Sequence, residues 1–201
     1  RDRYNIMQVV KRSGDKEPVH FDKISTRLNK LLWDIQDGTV DCSKIAQKIV
    51  SSIFDGIHTE TLDELASETA QSMIVNHPNY GTLASRIVIS NMHKNTDPNI
   101  LNVYKILLHK KLVASDFFNI VEKYHRELQE IVNYDMDYNF DYFGYKTLEK
   151  SYLLKIDNVI IERPQHLFLR VCIQIHGEDM SKVKESYDLI TNGYFTHATP
   201  T

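Results

Sequence analysis

The chain has 201 residues, 42% hydrophobic and 25% charged, with a formal net charge of −3 and a pI near 6.3. This is the composition of a folded globular protein, long enough for one large domain or two small ones. It argues against a broad basic field for nucleic acid or anionic membrane. No apolar run approaches the ~20 residues that cross a bilayer, and Arg1 onward shows no signal-peptide pattern. Two cysteines, Cys42 and Cys172, stand far apart and outside any CxxC. They point away from a disulfide framework or zinc ribbon and toward a reducing compartment. A start at Arg1 without methionine, and a finish at Thr201 just after "YFTHATP", set the expectation of a piece of a longer protein.

In chain order, Ile6–Lys11 and Glu17–Phe21 read as a hairpin around Ser13-Gly14-Asp15. Asp22 is the expected N-cap of a helix from Lys23 to about Trp33, with Ile24, Leu28, Leu31 and Leu32 at helical spacing. Residues 34–41 form a loop. Ser43 is the expected cap of a second helix through Phe54, with Gly56 at its left-handed end. Thr61 and Glu64 have capping-box spacing for a third helix to about Val75. His77-Pro78 breaks it, and Pro78 suits the first turn of a fourth helix to about Lys94, burying Leu83, Ile87 and Met92.

Asn95–Asn99, "NTDPN", is a polar linker into a more helical, aromatic-rich stretch. "NYDMDYNFDYFGY" (Asn133–Tyr145) alternates Asp and Asn with aromatic rings. A packed structural loop is favoured over a recognition surface, because such rings bury much area. "LLKIDNVII" (153–161) reads as a short hairpin with Asp157-Asn158 at its tip. Pro164–His176 and Met180–Thr191 read as helices, Gly193 ends the second, and Phe195–His197 opens a strand. The fold class is therefore mainly α: a small hairpin and four helices over 6–95, then a helical region over 96–193.

A nucleoside triphosphate needs cationic donors for its phosphates, an acceptor for its sugar hydroxyls, and polar groups with an apolar face for its base. The first ninety residues hold candidates for each. Lys11 and Arg12 are adjacent, so strand alternation sends them to opposite faces, although twist at a hairpin tip lets both reach one anion. Thr59 and Asp63 lie one helical turn apart near a helix start, whose dipole end is positive. Lys94 ends the fourth helix. Each has a bland reading too: a solvated hairpin face, a helix cap, an exposed lysine. There is no Walker A loop and no GxGxxG.

Three segments decide between these readings: "VVKRSGDKEPVHFDKI", "FDGIHTETLDELASETA" and "HPNYGTLASRIVISNMHK". In this order and at these distances they resemble the ATP-cone, the N-terminal regulatory domain of ribonucleotide reductase large subunits. "YNFDYFGYKTLEKSYLLK", "ERPQHLFLRVCIQIHGED" and "YFTHATPT" extend the resemblance to class I large subunits of the eukaryotic and viral type, over residues 6–201. The resemblance implies that Lys11, Arg12, Thr59 and Lys94 hold the phosphates of ATP or dATP. Glu17, His20 and Lys23 face the adenine, Asp63 the sugar, and Val9 packs near the base. Magnesium is expected with the nucleotide. ATP would keep the enzyme active and dATP would shut it off by changing the oligomer, which requires differential affinity for the two assemblies. The two effectors differ by one 2′-hydroxyl, so Asp63 is the expected discriminator. Ser13 departs from the aspartate common in this turn, and Pro18 from a frequent basic residue.

The same resemblance implies domains at 6–95 (ATP-cone), 96–193 (helical domain) and 194–201, the start of a ten-stranded α/β barrel whose remainder lies beyond Thr201. Ala198 and Thr199 would touch the substrate diphosphate. The catalytic cysteines are expected past Thr201, with Cys42 and Cys172 structural, so this segment holds no catalytic residue and no metal. Implied partners are the small (β) subunit, whose metal centre supplies the radical, further copies of the large subunit, and thioredoxin or glutaredoxin. DNA and membrane are not among them, and the cytoplasm is the expected location. Two alternatives stand beside this reading: a stand-alone ATP/dATP-sensing module, and a degenerate cone serving only as an assembly surface.

Overall fold

The computed structural model describes residues 7–196. The chain divides into two compact units. One runs to Asn91 and takes in Asp141–Phe143; the other comprises Met92–Phe140 and the chain from Gly144. The first opens with strands β1 (Gln8–Val10) and β2 (Lys16–Pro18), antiparallel with Val9 opposite Glu17. Gly14 turns the hairpin at φ +87°, where a side chain is disfavoured. Ser13 Oγ donates to Asp15 Oδ2 at 2.8 Å, so the serine supplies turn chemistry of its own. Lys11 N donates to Asp15 O and Val19 N to Met7 O, both at 2.8 Å. By alternation the amide position of Pro18 then faces the open edge of the sheet, where a missing N–H leaves no ladder bond unmade.

Helices α1 (Phe21–Lys30) and α2 (Cys42–Ser52) follow. Strand β3 (Ile57–His58) pairs in parallel with β1, giving the order β2-β1-β3. Helices α3 (Thr59–Ser72) and α4 (Asn79–Asn95) complete the unit, whose boundary falls within α4. The core is an apolar cluster centred on Ile45, Ile49, Ile57, Leu83 and Ile87. Each such residue contributes about 1.5–3 kcal/mol on burial.

Helix starts are where expectation and structure part. The N-cap of α1 is His20, with extended backbone, and Asp22 sits inside the first turn, where its charge suits the helix dipole instead. In α2 the cap is Asp41, whose carboxylate accepts from the Ser43 and Lys44 amides at 3.0 and 3.2 Å; Ser43 is already helical. Gly56, at φ +81°, does not end α2. Its amide donates to Gln8 O at 2.8 Å and so turns the chain into β3. That strand delivers the chain straight into α3 at Thr59, so Thr61 and Glu64 form no capping box. Phe195 and Thr196 carry no strand, and His197 lies outside the described residues.

The second unit holds α5 (Ile100–His109), α6 (Ser115–Ile131), a 3-10 turn (Tyr134–Asn139), α7 (Tyr142–Ser151, which begins in the first unit), the hairpin β4 (Lys155–Ile156) and β5 (Val159–Ile160), α8 (Pro164–His176) and α9 (Met180–Thr191). Asp157 and Asn158 at the hairpin tip both have positive φ, 50° and 65°, the pattern that matches strand twist. Its apolar core gathers Val103, Tyr104, Val121, Leu128, Ile173 and Val183.

A buried polar network is stitched through this unit by "ERPQH". Asp137, fully buried, accepts from Gln165 Nε2 at 3.0 Å and meets His93 Nε2 at 2.7 Å. Tyr187 and Thr191 hydroxyls donate to Gln165 Oε1 at 2.6 and 2.7 Å. Arg163 donates to Thr96 and to the carbonyl of His93. His166 Nδ1 accepts from the Arg163 amide at 3.2 Å, which places the ring proton on Nε2. From there it is donated to Tyr134 Oη at 2.6 Å, and Tyr134 donates onward to Pro98 O. Burial, then the nearby Arg163 charge, push the His166 pKa down to about 3, so the imidazole is neutral as this chain of donors requires.

Candidate functional site

A cleft of about 140 Å³ opens in the first unit between β1, β2, α1 and α3. Its apolar wall is Val9, Ile24, Leu28, Leu62 and Ala66. Period 2 in β1 and period 3.6 in α1 and α3 aim these residues inward. Its polar wall is Glu17, His20, Lys23, Arg27, Thr59 and Asp63. Thr59 is the first residue of α3, so the positive end of the helix dipole opens here. The volume is below the ~300–1,000 Å³ of pockets that enclose a drug-sized ligand. It suits one ring-sized group, with the rest of any larger ligand lying across the open mouth.

Six of the nine expected nucleotide residues line this cleft: Val9, Glu17, His20, Lys23, Thr59 and Asp63. Lys11 and Arg12 do not line it; both lie past the end of β1, at the hairpin turn, and their side chains take different partners. Lys11 Nζ reaches Glu17 Oε2 at 2.7 Å, and Lys23 Nζ meets the same oxygen at 3.1 Å. Hydrogen bonding and charge from Glu17 raise the Lys11 pKa, and the two lysines hold the Glu17 carboxyl below its ordinary range. Arg12 turns toward α3 and α4. Its Nη2 lies 3.3 Å from Asp63 Oδ2 and also donates to Asn91 Oδ1, and its Nε is 3.7 Å from Glu60. Lys94 falls in the last turn of α4, just past Asn91. Ala198 and Thr199 lie outside the described residues.

Asp63 is only 3% exposed. Besides Arg12 it is paired with Arg27, whose Nη1 contacts Asp63 Oδ1. Burial, and secondarily the Arg12 charge, lower the Arg27 pKa to about 10, so the guanidinium stays charged at neutral pH. Arg27, Glu60 and Asn91 are the members of this cluster that the sequence reading missed. Arg27 had a signal: it stands one helical turn after Lys23, on the same face of α1. Asn91 had none, being placed only by the packing of α4. Cys42 and Cys172 are buried, and burial pushes both thiols up to about 11, which keeps them protonated at neutral pH.

Known families match both parts of the chain. Residues 7–95 match the ATP cone domain, and residues 138–201 match the ribonucleotide reductase all-alpha domain. Among curated relatives, the ribonucleoside-diphosphate reductase large subunit of Caenorhabditis elegans is 45% identical over 99% of this chain and 26% of its own length. That of Arabidopsis thaliana is 44% identical over 97% of this chain and 25% of its own. That of vaccinia virus (strain Copenhagen) is 43% identical over 97% and 26%. The chain thus spans about a quarter of the length of these relatives.

Proposed function

The chain belongs to the ribonucleotide reductase large-subunit family, and from that premise we propose that its first unit binds ATP or dATP as an allosteric activity site. The observation that carries this reading is the gathering of Val9, Glu17, His20, Lys23, Thr59 and Asp63 around one cleft with an apolar wall and a helix N-terminus. The apolar wall takes a face of the adenine; Glu17, His20 and Lys23 read its edge; Asp63 lies at the sugar. The triphosphate then leaves through the mouth toward Lys11, Arg12, Thr59 and Lys94. Lys11 reaches it by exchanging Glu17 for a more highly charged partner. Magnesium, on this reading, arrives with the triphosphate.

The full-length protein would reduce ribonucleoside diphosphates to deoxyribonucleotides, with ATP sustaining and dATP stopping activity through a change of oligomer. Its radical would come from a small subunit, its electrons from thioredoxin or glutaredoxin, and Ala198 and Thr199 would meet the substrate diphosphate. The domain divisions at 6–95, 96–193 and 194–201 belong to the same proposal, as does a cytoplasmic location. Among the described residues, no helix is long and apolar enough to cross a membrane.

Titration calorimetry of the 201-residue chain with ATP and dATP tests the site. Binding that is weakened at least tenfold in Lys94→Ala supports it. No binding of either nucleotide at millimolar concentration sinks it and leaves the degenerate cone as the better reading.

A further inference from the structure

Two guanidiniums converge on the Asp63 carboxylate, and one donor arm is left without an acceptor. Arg12 occupies Oδ2 and Arg27 occupies Oδ1. A guanidinium facing a carboxylate ordinarily spends two arms on it. Here Arg12 has taken the second oxygen, so Arg27 engages with one. Its other arm, Nη2, is sealed from solvent and meets no acceptor among the described residues. Leaving such a donor unpaired is costly. Two other sealed atoms share this condition, Gln71 Oε1 and Arg86 Nε, but neither residue borders the cleft. Arg27 does, in the wall that also carries Glu17, His20, Lys23 and Asp63 and excludes Lys11 and Arg12.

We propose that Arg27 is a ligand-binding residue of this cleft, donating Nη2–H to an oxygen of the bound nucleotide's sugar. The inference rests on the nucleotide reading above and deepens it. Asp63 and Arg27 act as one recognition unit: the carboxylate uses a remaining lone pair to accept from a sugar hydroxyl, and the guanidinium donates to a sugar oxygen. Asp63 fixes Arg27 through Nη1 at the cleft wall, and the proposal requires Nη2 to turn toward the ligand on binding. The orphaned donor gains its acceptor only when a ligand is present. The contact lies at the nucleoside end, so its value is independent of the number of phosphates.

The test is titration of the chain with ATP and ADP in wild type, Arg27→Lys and Arg27→Ala, with a thermal melt of each. Arg27→Lys keeps a cation beside Asp63, and therefore the fold, but lacks the second arm of the fork. The expected result is a loss of about tenfold or more in Arg27→Lys, equal for ATP and ADP, with a melt close to wild type. Arg27→Ala loses at least as much affinity and melts lower. Wild-type affinity in Arg27→Lys overturns the proposal, because charge balance alone was then required. A loss much larger for ATP than for ADP also overturns it, by moving Arg27 to the phosphates. If wild type binds and the variants bind equally, this inference falls and the nucleotide reading stands; if wild type binds neither nucleotide, both fall.

Discussion

In the second unit the groups around Asp137 are matched donor to acceptor, and among its described residues no sealed side-chain nitrogen or oxygen lacks a partner. Around Asp63 in the first unit, two guanidiniums share one carboxylate and one sealed arm is left over. Both clusters are polar, buried and built from distant parts of the sequence. One is closed, and its members fix the fold. The other is open on a cleft, and what it leaves over is a donor. The difference teaches how to separate a structural polar network from a binding site without a ligand in view: count what is unsatisfied, and ask which side of the surface it borders.

The largest effect should come from breaking the closed network. Asp137→Ala removes the shared acceptor of buried Gln165 and half-buried His93 and leaves both without it. The expected cost is about 3–4 kcal/mol, measured by denaturant unfolding. A cost below about 1 kcal/mol would mean that Asp137 is no keystone, and the contrast with Asp63 would lose its structural half.

Acid should reach the same network by another route. In the unfolded chain His166 takes a proton near its ordinary pKa of 6.5, but in the folded protein only near 3. Between these values the unfolded state binds more protons, so stability is intact above pH 6.5 and falls as pH drops below it. The limiting slope is about 1.4 kcal/mol per pH unit, or about 2 kcal/mol between pH 6.5 and 5. Other titrating groups cancel when the wild-type slope is compared with that of His166→Gln, which should be shallower by one proton. Parallel slopes would show that His166 is not held neutral by its neighbours.

A smaller loss is expected from Tyr187→Phe. The hydroxyl donates to Gln165 and accepts from the Asn133 amide at 3.2 Å. Removing it orphans an amide and shortens the network by one member, for about 1–2 kcal/mol in the same unfolding assay. A neutral result would place Tyr187 outside the network's energetics and confine it to packing.

What the sequence disclosed follows the range of the forces involved. Helices α8 and α9 are legible to the residue, because Pro164 and Gly193 act on their immediate neighbours. The tip of the β4–β5 hairpin is legible for the same reason. The start of α3 is not: β3 has two residues, and only pairing with distant β1 makes it a strand. The candidate site divides in the same way. Glu17, His20 and Lys23 come from one continuous motif, whereas Asn91 reaches Arg12 only through the packing of α4. The sequence displays the charges of Lys11, Arg12 and Arg27 but not their partners, and the partners decide which cation has an arm to spare.

The smallest effect on the fold, and the sharpest contrast with Asp137, belongs to Glu17. Its carboxylate collects Lys11 and Lys23 at the rim of the cleft, but in solvent-facing positions, where ion pairs contribute little to stability. Glu17→Gln should therefore leave the melting temperature within about 1–2 °C of wild type. Its consequence should fall on the ligand. Without Glu17 to hold it, Lys11 meets an incoming phosphate with its charge uncompensated, so ATP binding should weaken more steeply with added salt than in wild type. Titrations across a salt series read this directly. If Glu17→Gln instead lowers the melting temperature as far as Asp137→Ala does, the rim of the cleft is structural after all. The lysines and arginines gathered around the cleft would then have to be explained by the fold and not by a proposed anionic ligand.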